Sequence, residues 1–433
     1  MQTERTTELS EEKIYDVIVI GGGAAGLMAA GTAARAGRSV LLLEKMEKSA
    51  RKVCITGKGR CNLTNICPPE EFLEKVRAGR DFFRPAFRTL DNQALCRFFE
   101  RQGVKLEVEQ GRRVFPRSGK AWDIADALRY WCSDNGVETL LNARVREILT
   151  VGNRVYGVTY RNKRGFTRKA EARNVILATG GASYPATGST GDGYGLAHAV
   201  GHTIVEVRPA LVPLESGHAD RFLLSGLQLR NVQVALLIDG TVADEAFGEL
   251  QFSRRGVEGA TTLRLSRRAV DALIDGKQVV LSLDLKPALS PEILRERIHR
   301  ERESLPPDAF FGELLRKLMP RQLVQPMARG LHIPTSTPLH QLTDQQVDEL
   351  IDTLKHFLVP ISDYRPFEEA IVTAGGVSTE EVDPETLQSK IVRGLYFAGE
   401  VLDIDADTGG YNLQIAFSTG FLAGQLKKET IHA

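Results

Sequence analysis

The sequence predicts an α/β protein built on a parallel sheet, and three consecutive stretches predict it. Residues 15–20, YDVIVI, form an apolar run of buried-strand type. Residues 21–26 are a glycine-rich turn, and residues 27–36 are small and helix-compatible up to Gly37. Residues 39–43, SVLLL, are a second buried strand that runs into Glu44. Strand, turn, helix and strand make a βαβ unit, whose crossover implies a parallel sheet covered on both faces.

Further along, residues 144–149, 154–160 and 167–173 read as alternating strands separated by turn residues, a small β-meander. It leads into the buried strand 174–178, NVILA, and then Thr179, Gly180 and Gly181. From about Val205 the texture changes. Residues 211–214, 232–238 and 278–285 are strand-like, whereas 290–357 are richer in helix formers and charge. Residues 394–399, GLYFAG, return to buried-strand texture, and 411–427 read as a closing helix. The expected organisation is a sheet domain from residues 1–204 and 361–433, interrupted by a β-rich segment 205–285 and a helical segment 286–360.

The chain has 433 residues, 42% hydrophobic and 26% charged, enough apolar material for an ordinary globular core. Lys and Arg number 56 and Asp and Glu 55, a balance that argues against a dedicated nucleic-acid binder or a polybasic membrane-surface protein. Residues 1–15 are polar and acidic and carry no secretory-signal pattern. No apolar run is long enough to span a bilayer. The five cysteines, an odd number, suit a reducing compartment better than a disulfide framework. A soluble cytoplasmic protein is expected.

Gly21-Gly22-Gly23-Ala24-Ala25-Gly26 fits G-x-G-x-x-G. The first glycine allows the tight turn, the second lets the backbone approach a pyrophosphate, and the third lets helix and strand pack closely. The helix that starts here points its N-terminal amides at the phosphates. Glu44 lies 18 residues beyond Gly26, where a carboxylate takes the adenosine ribose hydroxyls and disfavours a 2′-phosphate. FAD and NAD both remain open on this unit alone.

Three further segments favour FAD. Residues 51–65, RKVCITGKGRCNLTN, read as a flexible basic loop with Arg51, Lys52, Lys58 and Arg60, able to lie along phosphates and a ribityl chain. The strand that ends at Ala178 runs into small residues, which leave room for a cofactor. Residues 394–414 end a late strand at Gly399 and Glu400, an acid suited to ribityl hydroxyls. Gly409 and Gly410 then precede a helix whose N-terminus can face the flavin edge that gathers negative charge on reduction.

On these stretches, together with ILATGGASYPATGSTGDGYGLA, TAGGVS and GLYFAGEVLDIDADTGGYNLQIAFSTG, the sequence resembles the aminoacetone-oxidase family of NAD(P)/FAD-dependent flavoproteins, whose relatives include reductases of bile-acid intermediates. The resemblance runs from residue 17 to residue 420. It implies a Rossmann-like FAD-binding domain with an inserted β-barrel-like and helical region. It also implies that FAD is carried by Gly21, Gly23, Gly26, Glu44, Gly59, Arg60, Asn62, Thr64, Gly180, Glu400, Asn412 and Leu413. Ala25, Lys45, Lys52, Gly57, Cys61, Val145, Thr179, Gly181, Gly399 and Gly410 complete the candidate cofactor set. TGSTGDGYGLAHAVG is also similar to fumarate-reductase flavoproteins, and GELQFSRRGVEG in the insert departs most from the family pattern.

Other signals carry less. Cys54, Cys61 and Cys67 are spaced too widely for structural zinc, and no second nucleotide-binding unit accompanies them as dithiol chemistry would need. They read as small packing residues near the flavin. Asp403, Asp405 and Asp407 imitate a calcium loop, but its sixth and twelfth positions are Thr408 and Gln414. No metal is expected. His198 and His202 stand four apart and read as structural.

The expected activity is hydride transfer between flavin N5 and a small organic substrate, by C=C reduction or amine oxidation. NAD(P)H, if it is the electron donor, visits the same pocket transiently. No catalytic acid or base is nominated, and no nucleic-acid or membrane partner is expected. A flavin-dependent RNA-modifying enzyme and a non-catalytic flavin-binding redox sensor are the alternatives.

Overall fold

The computed structural model describes residues 13–217 and 221–426; the polar lead before Lys13 and the last residues from Lys427 lie outside them. The chain forms two compact units, Met1–Pro209 with Phe367–Ala433, and Ala210–Pro366.

In the first unit, β1 (Ile14–Ile20), α1 (Ala24–Arg35) and β2 (Val40–Glu44) form the expected βαβ crossover. β1 lies between β2 and the strand Thr167–Leu177, parallel to both, with Ile20 paired to Leu43 and to Leu177. Glu138–Leu141 extends the sheet beyond β2 in parallel. α1 packs against the helix Ala121–Asp134 and the closing helix Tyr411–Gly424. Its residues are small and apolar on every side because nearly every side is covered.

Residues 167–173 and 174–178, expected as two strands, are one strand, Thr167–Leu177. Its first half pairs antiparallel with Arg154–Arg161, and its second half pairs in parallel with Leu395–Phe397. No turn residue separates the halves. The shift from polar alternation to an unbroken apolar run marks the passage from a half-exposed meander into the covered sheet.

Residues 51–65 also differ from the flexible loop expected of them. Arg51–Gly59 is helical at its start, and its ladder breaks where Gly57 and Lys58 take left-handed φ of 57° and 58°. The closing helix ends at Gly424, short of the expected Lys427.

The second unit is a closed six-stranded barrel with helices. The strands run in the order Leu214–Ser216, Gly256–Glu258, Thr241–Phe252, Gln228–Ile238, Val279–Asp284 and Phe357–Tyr364, the last returning to the first. Thr241–Phe252 escaped the sequence reading because its solvent face is polar and charged. The helix Ala260–Ile274, which packs on that strand, was also unread. Phe357–Tyr364 closes the barrel, although residues 357–360 were expected in the helical segment and 361–364 in the returning sheet domain. The helices Pro291–Glu303, Phe311–Leu318, Arg321–Gly330 and Asp344–Lys355 supply the rest.

Candidate cofactor site

Four parallel strands deliver the site. β1, β2, Thr167–Leu177 and Leu395–Phe397 run the same way, so the residues that follow them gather at one carboxyl edge of the sheet. There the topology brings together Gly21 to Gly26, Glu44 with Lys45, Thr179 to Gly181, and Gly399 with Glu400. Ligands of open α/β sheets bind at such an edge.

The turn at the start of α1 is packed for close approach. A Cβ at Gly26 would lie 1.8 Å from the Gly21 carbonyl oxygen, whereas one at Gly23 would meet nothing within 4 Å. The missing side chain of Gly26 therefore serves the fold, and that of Gly23 leaves space above the helix start. Gly23 caps α1 with no side-chain hydrogen bond, and the first turn holds no acid, so its amides are open to an anion. The Glu44 carboxylate accepts from the Gly22 amide (2.7 Å) and the Met46 amide (2.8 Å). Burial pushes its carboxyl above the ordinary range, and the Met46 and Gly22 amides pull against that.

Lys52 and Glu400 join α2 (Arg51–Gly59) to the end of Leu395–Phe397. The Lys52 Nζ donates to Glu400 Oε2 and to Ser183 Oγ, both at 2.7 Å. Glu400 also accepts from the Thr373 amide (2.8 Å), the Ser183 hydroxyl (3.2 Å) and the Gly181 amide (3.3 Å). That carboxylate is occupied in binding the loops of this edge to one another. Ser183 and Thr373 lie in stretches that carry the resemblance but were not among the candidate residues, since their role depends on loops distant in sequence.

The far end of the chain returns to the same unit. Gly410, at φ 102°, caps the helix Tyr411–Gly424 with no side-chain bond, and no acid stands in its first turn. The Asn412 side chain donates to the carbonyls of Ala406 (2.8 Å) and Asp407 (3.2 Å) and accepts from the Ala406 amide (3.0 Å). It is spent on that turn, which leaves the backbone amides of Tyr411, Asn412 and Leu413 facing outward from the helix start. Gln414, also unread, is fully buried and links this helix to Thr64 Oγ1 (2.6 Å) and the Leu90 carbonyl (2.9 Å).

Other candidate residues are placed as follows. Arg60 forms an ion pair with Glu109 and lies 4.4 Å from the Phe115 ring centroid. Cys61 is buried at φ 58°, and burial pushes its thiol up to about 12. Lys45 bonds Asp192 at 2.9 Å. Val145 is buried on the strand Arg144–Val151, which starts just after Ala143 donates to the Glu44 carbonyl (2.9 Å). Thr64 is buried, and a Cβ on Gly410 would lie 2.5 Å from its carbonyl. Gly57, Gly59 and Asn62 lie in or just after the broken turn of α2.

The donor set fits an elongated polar ligand carrying phosphates and hydroxyls. Two helix starts are uncapped, Gly23 leaves open space, and the buried Asn62 Oδ1 and Thr179 Oγ1 have no protein partner. No group of three or more His, Cys, Asp or Glu among the described residues could hold a metal ion. A sheet edge of this kind, with Gly399, Glu400 and the start of the helix Tyr411–Gly424 returning to the unit that begins with β1, is that of a dinucleotide-binding protein.

The chain belongs to the HI0933-like protein Rossmann domain family, which it matches over residues 15–426. It is 33% identical to a 3-dehydro-bile acid delta(4,6)-reductase of Clostridium scindens, over 95% of this chain and 98% of that protein. It is 30% identical to a ribosomal RNA dihydrouridine synthase of Escherichia coli, over 95% of this chain and 97% of that one. Its fold is similar to that of a 3-ketosteroid delta1-dehydrogenase from Sterolibacterium denitrificans, with a TM-score of 0.51 at 15% identity over 95% of this chain and 99% of that one. Members of the family are FAD-dependent oxidoreductases, and this chain is one of them. No helix among the described residues is long and apolar enough to cross a membrane.

Proposed function

We propose that the enzyme reduces a carbon–carbon double bond conjugated to a carbonyl, with NAD(P)H as electron donor. The observation that carries this reading is a chemistry common to two near-full-length relatives. A 3-dehydro-bile acid delta(4,6)-reductase and a dihydrouridine synthase both saturate a C=C that a carbonyl polarises. In net terms a hydride adds to the β-carbon and a proton to the α-carbon, while NAD(P)H becomes NAD(P)+.

Bound FAD supplies hydride chemistry at N5 of its ring. In this reading the open amides at the start of α1 hold the pyrophosphate and Glu44 takes the adenosine ribose hydroxyls. Thr179, Asn62 and the backbone at Gly180 and Gly181 would hold the cofactor beside them, the unpartnered Asn62 Oδ1 and Thr179 Oγ1 supplying polar contacts. The open amides and partial positive charge at the start of the helix Tyr411–Gly424 would stabilise negative charge on a flavin bound there. Lys52 and Glu400 hold the surrounding loops in register.

An anaerobic assay of the FAD-loaded enzyme tests this. NADPH or NADH is expected to bleach the flavin, and a cyclic enone to restore its colour with formation of the saturated ketone. Bleaching that only oxygen reverses favours an oxidase and overturns the proposal. An enzyme that no donor bleaches overturns it as well.

A further inference from the structure

We infer that Lys58 is a catalytic residue: its ammonium meets the carbonyl oxygen of the reducible substrate and holds the negative charge that gathers there as hydride adds to the β-carbon. The inference rests on the reductase reading above and names the group that polarises the substrate. Backbone, charge and position each point to it.

Gly57 and Lys58 take left-handed φ, ψ of 57°, 35° and 58°, 40°, and Gly59 follows at φ 83°. Glycine adopts this conformation freely, whereas a lysine is strained in it. A lysine where a third glycine would suit the backbone better is kept for its side chain rather than for the fold. Lys58 is exposed, and among the described residues it has no hydrogen-bond or ion-pair partner. The other cations of this stretch are engaged: Lys45 with Asp192, Arg51 with Glu47, Lys52 with Glu400 and Arg60 with Glu109, while Lys48 lies over the Trp122 ring. The nearby hairpin of Leu106–Glu109 and Arg113–Pro116 brings two acids, and both act on Arg60: Glu109 pairs with it and Glu107 adds its charge.

α2 starts at the glycine turn, where the Ala50 amide donates to the Gly22 carbonyl (2.7 Å), and its other end lies on the order of 10 Å away. At that end a Cβ on Gly57 would lie 2.9 Å from the Asn62 amide nitrogen, so Lys58 adjoins the residue whose buried Oδ1 has no protein partner. Two residues further on, Thr64 packs on Gly410 at the start of the closing helix. With the pyrophosphate at the start of α1, as read above, Lys58 falls at the end of the site where ring and substrate meet. Hydride addition to the β-carbon moves the π electrons of the C=C toward the carbonyl, whose oxygen becomes that of an enolate; solvent then gives the α-carbon its proton and the ketone re-forms. An ammonium at that oxygen lowers the barrier because it attracts the enolate more strongly than the neutral carbonyl.

The test mixes photoreduced, FAD-loaded enzyme with 2-cyclohexenone anaerobically in a stopped-flow instrument. Lys58→Gly and Lys58→Met are expected to slow reoxidation of the flavin by the enone roughly 100-fold, and Lys58→Arg less than about 10-fold. Binding of 4-chlorophenol to the oxidised enzyme as its enolate-like phenolate, read from the flavin spectrum, is expected to weaken about 10-fold in the first two variants. The flavin midpoint potential is expected to stay unchanged, and Lys58→Gly to melt no lower than wild type because glycine suits that backbone. A lower melting temperature for Lys58→Gly marks the lysine as structural, and a shifted potential with unchanged phenolate affinity marks it as a flavin contact; either result overturns the inference. Equal enone rates in wild type and variants sink this inference and leave the reductase reading standing. A wild-type flavin that the enone does not reoxidise sinks the reductase reading and this inference with it.

Discussion

The carboxylate of Glu44 accepts a hydrogen bond from the amide of Gly22 at 2.7 Å, so the acid at the end of the second strand also holds the glycine turn at the end of the first. Glu44→Ala removes that acceptor and leaves a buried amide without a partner. In the proposed reading Glu44 also takes the adenosine ribose hydroxyls, and losing a hydrogen bond to a charged group, worth roughly 1.5–3 kcal/mol, is expected to lower FAD affinity about 10- to 100-fold. Fluorescence titration of the apoprotein with FAD measures it.

Gly23 and Gly26 are expected to separate cofactor binding from folding. Gly23→Ala places a methyl in space that no protein atom approaches within 4 Å, so the protein folds but loses FAD. Gly26→Ala drives a methyl to within 1.8 Å of the Gly21 carbonyl, so the fold itself yields. Thermal melts beside flavin content distinguish the two. Equal flavin loss at equal melting temperature would refute the division.

Lys52 and Glu400 are about four-fifths shielded, with side-chain exposures of 23% and 20%. Lys52→Met leaves Glu400 among neutral donors at a site still partly open to solvent. The cost is expected near 1–2 kcal/mol, below that of breaking a fully buried pair. Urea unfolding of the FAD-loaded protein reports it, and a double-mutant cycle with Glu400→Gln gives the coupling.

His202 gives the fold a pH dependence. Its ring is buried, bonds Ser389 Oγ at 2.8 Å and lies 3.2 Å from Glu381, and burial holds its pKa below the ordinary 6.5 despite that carboxylate. A depressed histidine binds its proton more readily in the unfolded chain. Its contribution is therefore full above pH 6.5 and is lost as pH falls toward the folded value. Glu381, held below the ordinary carboxylate range, loses its own contribution at lower pH still. His202→Phe is expected to flatten the melting temperature between pH 5 and 7. A slope that survives the substitution would assign the effect elsewhere.

Cys61 is expected to be inert in the folded protein. With its thiol pushed up to about 12 and no exposed surface, thiolate is scarce near neutrality. Iodoacetamide is expected to modify Cys61 only after unfolding, as read by peptide mass. Rapid labelling of native enzyme would contradict the buried placement.

The sequence alone determined the elements whose signal is local. The run from Ile14 to Glu44 shows its strands as apolar runs broken only by Asp16 and its crossover as a glycine turn, because a parallel sheet must be covered on both faces. The same run revealed the dinucleotide site, since phosphate binding there is done by backbone and the absence of side chains is itself the pattern. Tertiary structure decided what depends on partners distant in sequence. Only the fold shows that the Glu400 carboxylate is occupied by Lys52, Ser183, Thr373 and Gly181, and that the Asn412 side chain is spent on its own turn. The barrel was half legible, because Thr241–Phe252 turns polar residues to solvent and Phe357–Tyr364 earns its place as a strand only by pairing with Val279–Asp284 and Leu214–Ser216. A net charge of +1 likewise says nothing of where charges lie; the hairpin sets Lys105 beside Arg117, and that adjacency exists only once the backbone pairs.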